Sequence, residues 1–109
     1  MFEATFKPPF AKFTKRQHRP LKTAIRDEVR AICTDPSIGE AKLGDLAGIR
    51  VHKFTYNKQV YLTAYAVPEP GAMDSINPQD TTPVLIEFYQ IGSPENFYDD
   101  LKAYLRASG

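Results

Sequence analysis

The chain has 109 residues, 42% hydrophobic and 12% aromatic, which suits one globular domain and argues against disorder over most of the length. A single cysteine, Cys33, excludes an internal disulfide, and no apolar run is long enough to cross a membrane, so a cytoplasmic location is expected, the more so because the N-terminus lacks the continuous apolar segment of a secretory signal. Net charge is only +1, but residues 1–30 carry eight basic side chains against three acids, and residues 69–109 carry seven acids against Lys102 and Arg106. Such a division presents a positive face suited to nucleic acid or to an acidic protein, unless those lysines and arginines merely solvate helix surfaces.

Residues 2–6 read as a short strand with Phe2, Ala4 and Phe6 on one side, ended by Pro8 and Pro9. A short helix over about 9–17 places Phe10 and Phe13 on one face. Pro20 then opens a longer helix in which Leu21, Ala24, Ile25, Val29, Ile32 and Cys33 recur at three- and four-residue intervals, and Asp35-Pro36 stops it. Together these two helices form an antiparallel hairpin.

Residues 37–48 read as a loop. Ile49–Tyr56 and Gln59–Val67 follow as strands, joined by Asn57-Lys58 as a two-residue turn, and Val84–Ile91 is the most apolar strand and the expected centre of the sheet. The proline- and glycine-bearing link 68–83 is long for a hairpin and reads as an exposed insertion. Ser93 and Pro94 suit a helix start, after which Phe97, Leu101, Tyr104 and Leu105 line one face. The whole is a single α+β domain, residues 1–109, in the order β-α-α-β-β-β-α. The expected arrangement is a small antiparallel sheet against an N-terminal helical hairpin, with a C-terminal helix and all helices on one face.

Chemistry-bearing signals are few. There is no glycine-rich phosphate loop, and no His or Cys pair at metal-ligand spacing, so neither a metal nor a cofactor is expected. Arg50 and His52 lie two apart on one strand and therefore share a face, whereas Lys53 points the other way. A guanidinium binds phosphate oxygens in pairs, and an imidazole exchanges a proton near neutral pH. The bland alternatives are an Arg50 ion pair with Glu87 or another acid, a half-buried His52 bonded to backbone, and an inert, hydrophobe-like Cys33.

The stretches 43-LGDLAGIRVHKF-54, 61-YLTAY-65 and 91-IGSPENFYDDLKAYL-105 resemble the RelE/ParE superfamily of type II toxin–antitoxin toxins, RelE-like branch, as does the element order. The resemblance implies a toxin held by a cognate antitoxin, with operator DNA reached only through that antitoxin. On the RelE side it implies a metal-independent endoribonuclease that cuts ribosome-bound mRNA by 2′-hydroxyl attack. On the ParE side it implies an inhibitor of DNA gyrase, and a degenerate toxin that keeps only antitoxin binding is a further alternative. On the nuclease reading Arg50 holds phosphate, His52 moves a proton, and Tyr98 orients a base or donates a proton, unless it is core packing beside Phe97. Lys12, Lys15, Arg16 and Lys53 are then the RNA-binding cations, though the basic N-terminal stretch equally suits the antitoxin. Two positions depart from the nuclease pattern: Leu62 stands where an arginine is usual, and Ser93-Pro94 where a basic residue or histidine is usual. Each such charge-stabilising donor is worth about 2.7–4 kcal/mol in a transition state.

Overall fold

The structure, a computed structural model, describes residues 2–67 and 84–108. The expected insertion at 68–83 lies outside the described residues. The elements are β1 (Phe2–Phe6), α1 (Pro8–Lys15), α2 (Arg19–Thr34), β2 (Glu40–Ala41), β3 (Arg50–Tyr56), β4 (Gln59–Ala66), β5 (Val84–Gly92) and α3 (Phe97–Ser108), with single 3₁₀ turns at Pro36–Ile38 and Gly44–Leu46.

β3, β4 and β5 form the expected antiparallel meander. Asn57 and Lys58 both adopt positive φ, 49° and 68°, as a two-residue hairpin turn of matching twist requires. Two strands extend the meander. β1 runs parallel to β5 and β2 antiparallel to β3, giving a five-stranded mixed sheet of order β1-β5-β4-β3-β2. The middle strand is therefore β4, and β5, expected at the centre, lies beside it.

A second departure concerns the helices. α1 and α2 cover one face of the sheet, over a core of Phe10, Leu21, Ile25, Ile32, Tyr65, Ile86, Phe88 and Ile91. α3 covers the other face, where Phe97 and Leu101 pack with Leu46, Ile49, Val51 and Ala64. Both faces of β4 are thus buried, which explains a strand sequence that is apolar without strict alternation. A bulge in β5 serves both cores. Ala64 pairs with Gln90 and Tyr65 with Phe88, leaving Tyr89 as the extra residue. Beyond it Gln90 reaches α3, its Nε2 donating to the Phe97 carbonyl at 2.8 Å.

α3 begins later than Ser93. Asn96 takes a positive φ of 61°, and this left-handed residue separates the Pro94 turn from the helix proper. Asparagine tolerates that conformation better than most residues.

Candidate functional site

β3 carries the two side chains that the sequence singles out. Val51 faces the α3 core, so Arg50 and His52 both face the helical hairpin, and Lys53 is exposed on the opposite side. Arg50 is half-buried. Its Nη1 donates to the Gly39 carbonyl at 2.6 Å and to the Ser37 carbonyl at 3.4 Å. The loop that supplies those carbonyls is itself fixed from below. The Tyr65 hydroxyl donates to the Pro36 carbonyl and accepts from the Gly39 N–H at 2.9 Å. Burial pushes the Tyr65 phenol up. A Cβ at position 39 would lie 2.5 Å from that hydroxyl oxygen, so this close approach requires glycine. Asp35 opens the turn by accepting from the Ser37 hydroxyl and amide, which hold its carboxyl below the usual carboxylate range, with the Arg50 charge adding to the effect.

His52 meets a carboxylate. Its Nδ1 lies 2.8 and 2.9 Å from the two oxygens of Glu28, on α2. The Glu28 side chain is only 4% exposed and that of His52 29%. With Nδ1–H donating to the carboxylate, Glu28 fixes the orientation of the ring. Across the strand pair, Thr63 stands opposite His52, with its Oγ1 buried and without a hydrogen-bond partner among the described residues.

Tyr98 is elsewhere. It sits in the first turn of α3, edge-on to Phe97 at 5.3 Å, with the Lys42 ammonium 5.5 Å from its ring centroid. Arg50 and His52 are therefore brought together, and Tyr98 lies across the sheet from them beside the α3 core. The four expected RNA-binding cations are similarly divided. Lys12 and Arg16 line a groove of about 500 Å³ between α1 and the β5–α3 turn, facing Glu95 and Asp100. Lys15 lines a different groove, between α1 and α2, and Lys53 is on the α3 side of β3. Glu87, one alternative partner for Arg50, instead pairs with Lys7 at 2.8 Å. Leu62 packs against the α3-side core. Among the described residues no group of three or more His, Cys, Asp or Glu side chains could hold a metal ion.

Glu28 is the residue that sequence reading missed. It occupies the buried stripe of α2 with Leu21, Ile25 and Ile32, three residues after Ile25 and four before Ile32. A carboxylate within an otherwise apolar stripe is a legible signal, because it demands a buried partner. Cys33 flanks the same stripe, half-buried, and burial pushes its thiol up. It is expected to react with iodoacetamide at pH 8 several-fold more slowly than free cysteine, with the gap closing on unfolding in urea. Equal rates for the folded and unfolded chains would contradict that burial.

A family model described as the ParE-like toxin of type II bacterial toxin–antitoxin systems matches residues 5–102. No curated protein and no solved structure matches the chain.

Proposed function

Since the chain belongs to the ParE-like toxins of type II bacterial toxin–antitoxin systems, we propose that it arrests growth by binding a protein target, DNA gyrase, and that the cognate antitoxin holds it off that target. One observation carries this reading. The two groups best suited to phosphate and proton transfer are already engaged by the chain itself, Arg50 by loop carbonyls and His52 by the Glu28 carboxylate. The carboxylates beside them, Glu28 and Asp35, oppose the approach of a phosphodiester. Tyr98, the third expected catalytic residue, belongs to the opposite face. The test is induction in bacteria, followed by trapping of covalent gyrase–DNA complexes and mapping of mRNA ends on ribosomes. Gyrase complexes with intact mRNA are the expected result. New cuts at the ribosomal A site, without gyrase complexes, overturn it.

A second reading, endoribonucleolytic cleavage of ribosome-bound mRNA, draws on the Glu28–His52 contact. A buried carboxylate that fixes Nδ1 orients the ring and leaves Nε2 to take a proton from a 2′-hydroxyl. Arg50, on the same face, would hold the phosphate. On this reading His52→Ala abolishes both mRNA cuts and growth arrest, while on the gyrase reading a folded His52 variant remains toxic.

A further inference from the structure

The sheet ends at β1, and among the described residues no strand pairs with its outer side. One bond fixes which backbone groups that side presents. The Lys7 N–H donates to the Phe88 carbonyl at 2.9 Å, so Lys7 turns its backbone toward β5. Backbone groups alternate along an extended strand. Glu3 and Thr5 therefore face β5 as well, whereas the N–H and C=O of Phe2, Ala4 and Phe6 point away from the sheet. Proteins ordinarily blunt such an edge with proline, lysine or a bulge. FEATF has none of these, and its register with β5 runs unbroken from Phe2 to Phe6.

We propose that β1 pairs antiparallel with β1 of a second copy, about a two-fold axis at Ala4, so that one sheet runs through both copies. The symmetry of FEATF selects a second copy over an unrelated strand. About Ala4, Phe2 stands opposite the partner's Phe6, Ala4 opposite the partner's Ala4, and Glu3 opposite the partner's Thr5, so no like charges meet. The outward-facing pairs are the hydrogen-bonded ones, each exchanging both N–H···O bonds. Sliding the partner by two residues in either direction loses one of these pairs, and in one direction sets Glu3 against Glu3. Phe6, 48% exposed, gains the partner's Phe2 as its cross-strand neighbour. Phe6 also lines the α1–α2 groove with the cations Lys15, Lys22 and Arg26. These grooves do not oppose each other, because Phe6 and the partner's Phe6 stand four residues apart along the pair, roughly 14 Å and beyond a Debye length at physiological salt. The contact is isologous and closes at two copies. β3 lies toward the other edge of the sheet, so the pairing leaves the Arg50–His52 face of each copy open and does not depend on the identity of the target.

Sedimentation velocity of the purified chain over a hundredfold range of concentration tests the pairing. A five-residue edge is small for an interface, and a dissociation constant on the order of 10–100 µM is expected. Thr5→Lys, which sets a cation opposite the partner's Glu3, is expected to tighten the dimer about threefold at low salt, and Thr5→Glu to loosen it by a similar factor. Thr5 also pairs with Glu87 within the chain, so a thermal melt accompanies each variant. The swap Glu3→Lys, Thr5→Glu keeps that internal change but restores opposite charges across the two-fold axis, and is expected to recover the dimer. Ala4→Pro removes an outward N–H without touching the β1–β5 ladder, and is expected to leave a monomer with unchanged far-ultraviolet circular dichroism. A monomer at every concentration overturns the proposal and leaves the edge to a strand of another chain. So does a dimer that ignores the sign of residue 5, survives Ala4→Pro or is not recovered by the swap, and so does growth into larger assemblies, which a closed two-fold contact forbids.

Discussion

Phe88→Ala is expected to cost about 3–5 kcal/mol of folding free energy, the range for deleting a fully buried phenylalanine. Phe88 has no exposed surface, and its ring joins three elements. Its centroid lies 5.5 Å from Phe10 on α1, 5.9 Å from Tyr65 on β4 and 5.7 Å from Phe6 on β1. Tyr65 cannot follow the receding wall, because its hydroxyl is tied to the Pro36 carbonyl and the Gly39 amide. The cavity therefore stays open. For a chain of this length the loss lowers the melting temperature by roughly 15 °C, a shift that calorimetry or thermal circular dichroism reads directly. A drop under about 5 °C would mean that the hairpin-side core closes around the gap, contrary to the clamp on Tyr65. Phe88→Leu, which retains most of the volume, is expected to cost less.

The parts of the fold legible in sequence are those with local causes. Asn57-Lys58 marked the hairpin, proline marked the starts of both early helices, and Asp35-Pro36 marked the end of α2. What escaped reading depends on partners distant in the chain. β1 joins β5 in parallel across some eighty residues, and five residues of FEATF do not reveal which strand they meet. The side taken by α3 was also hidden, since the apolar stripe of Phe97, Leu101 and Leu105 fits either face of a sheet. One signal was present. QVYLTAYAV is apolar on both sides, which two-sided burial demands and a one-sided sheet does not.

The candidate site divides the same way. Period-two alternation put Arg50 and His52 on one face and Lys53 on the other, as observed. The occupant of that face was not legible from β3 itself, because Glu28 and the 37–39 loop come from other elements. Tyr98 illustrates the converse problem: a helical position gives a neighbour at Phe97 but not a side of the sheet. The α1–α2 groove required both helices at once. Its cations, Lys15, Lys22 and Arg26, appeared in sequence only as members of a basic stretch.

The largest effect expected at the site itself is for His52→Ala, about 3 kcal/mol, because it leaves the Glu28 carboxylate buried with no counter-group. The cost falls on the survivor. Glu28→Leu, which leaves a half-exposed imidazole able to reach water, is expected to cost less, and the double variant Glu28→Leu, His52→Leu to recover most of the loss, since an apolar pair of similar volume avoids desolvating a charge. Urea unfolding of wild type, Glu28→Leu, His52→Leu and the double variant closes the cycle, with a coupling above about 1 kcal/mol expected from two contacts at 2.8 and 2.9 Å. Additive losses would show the pair to be no stronger than an exposed one. The double variant then separates the two functional readings without the ambiguity of an unfolded protein. It is expected to retain the fold and Arg50 but lacks the imidazole that the second reading uses to move a proton. Growth arrest at wild-type potency from that variant fits a toxin that binds its target, whereas arrest lost from a chain that still melts cooperatively and still takes the antitoxin assigns the work to the imidazole.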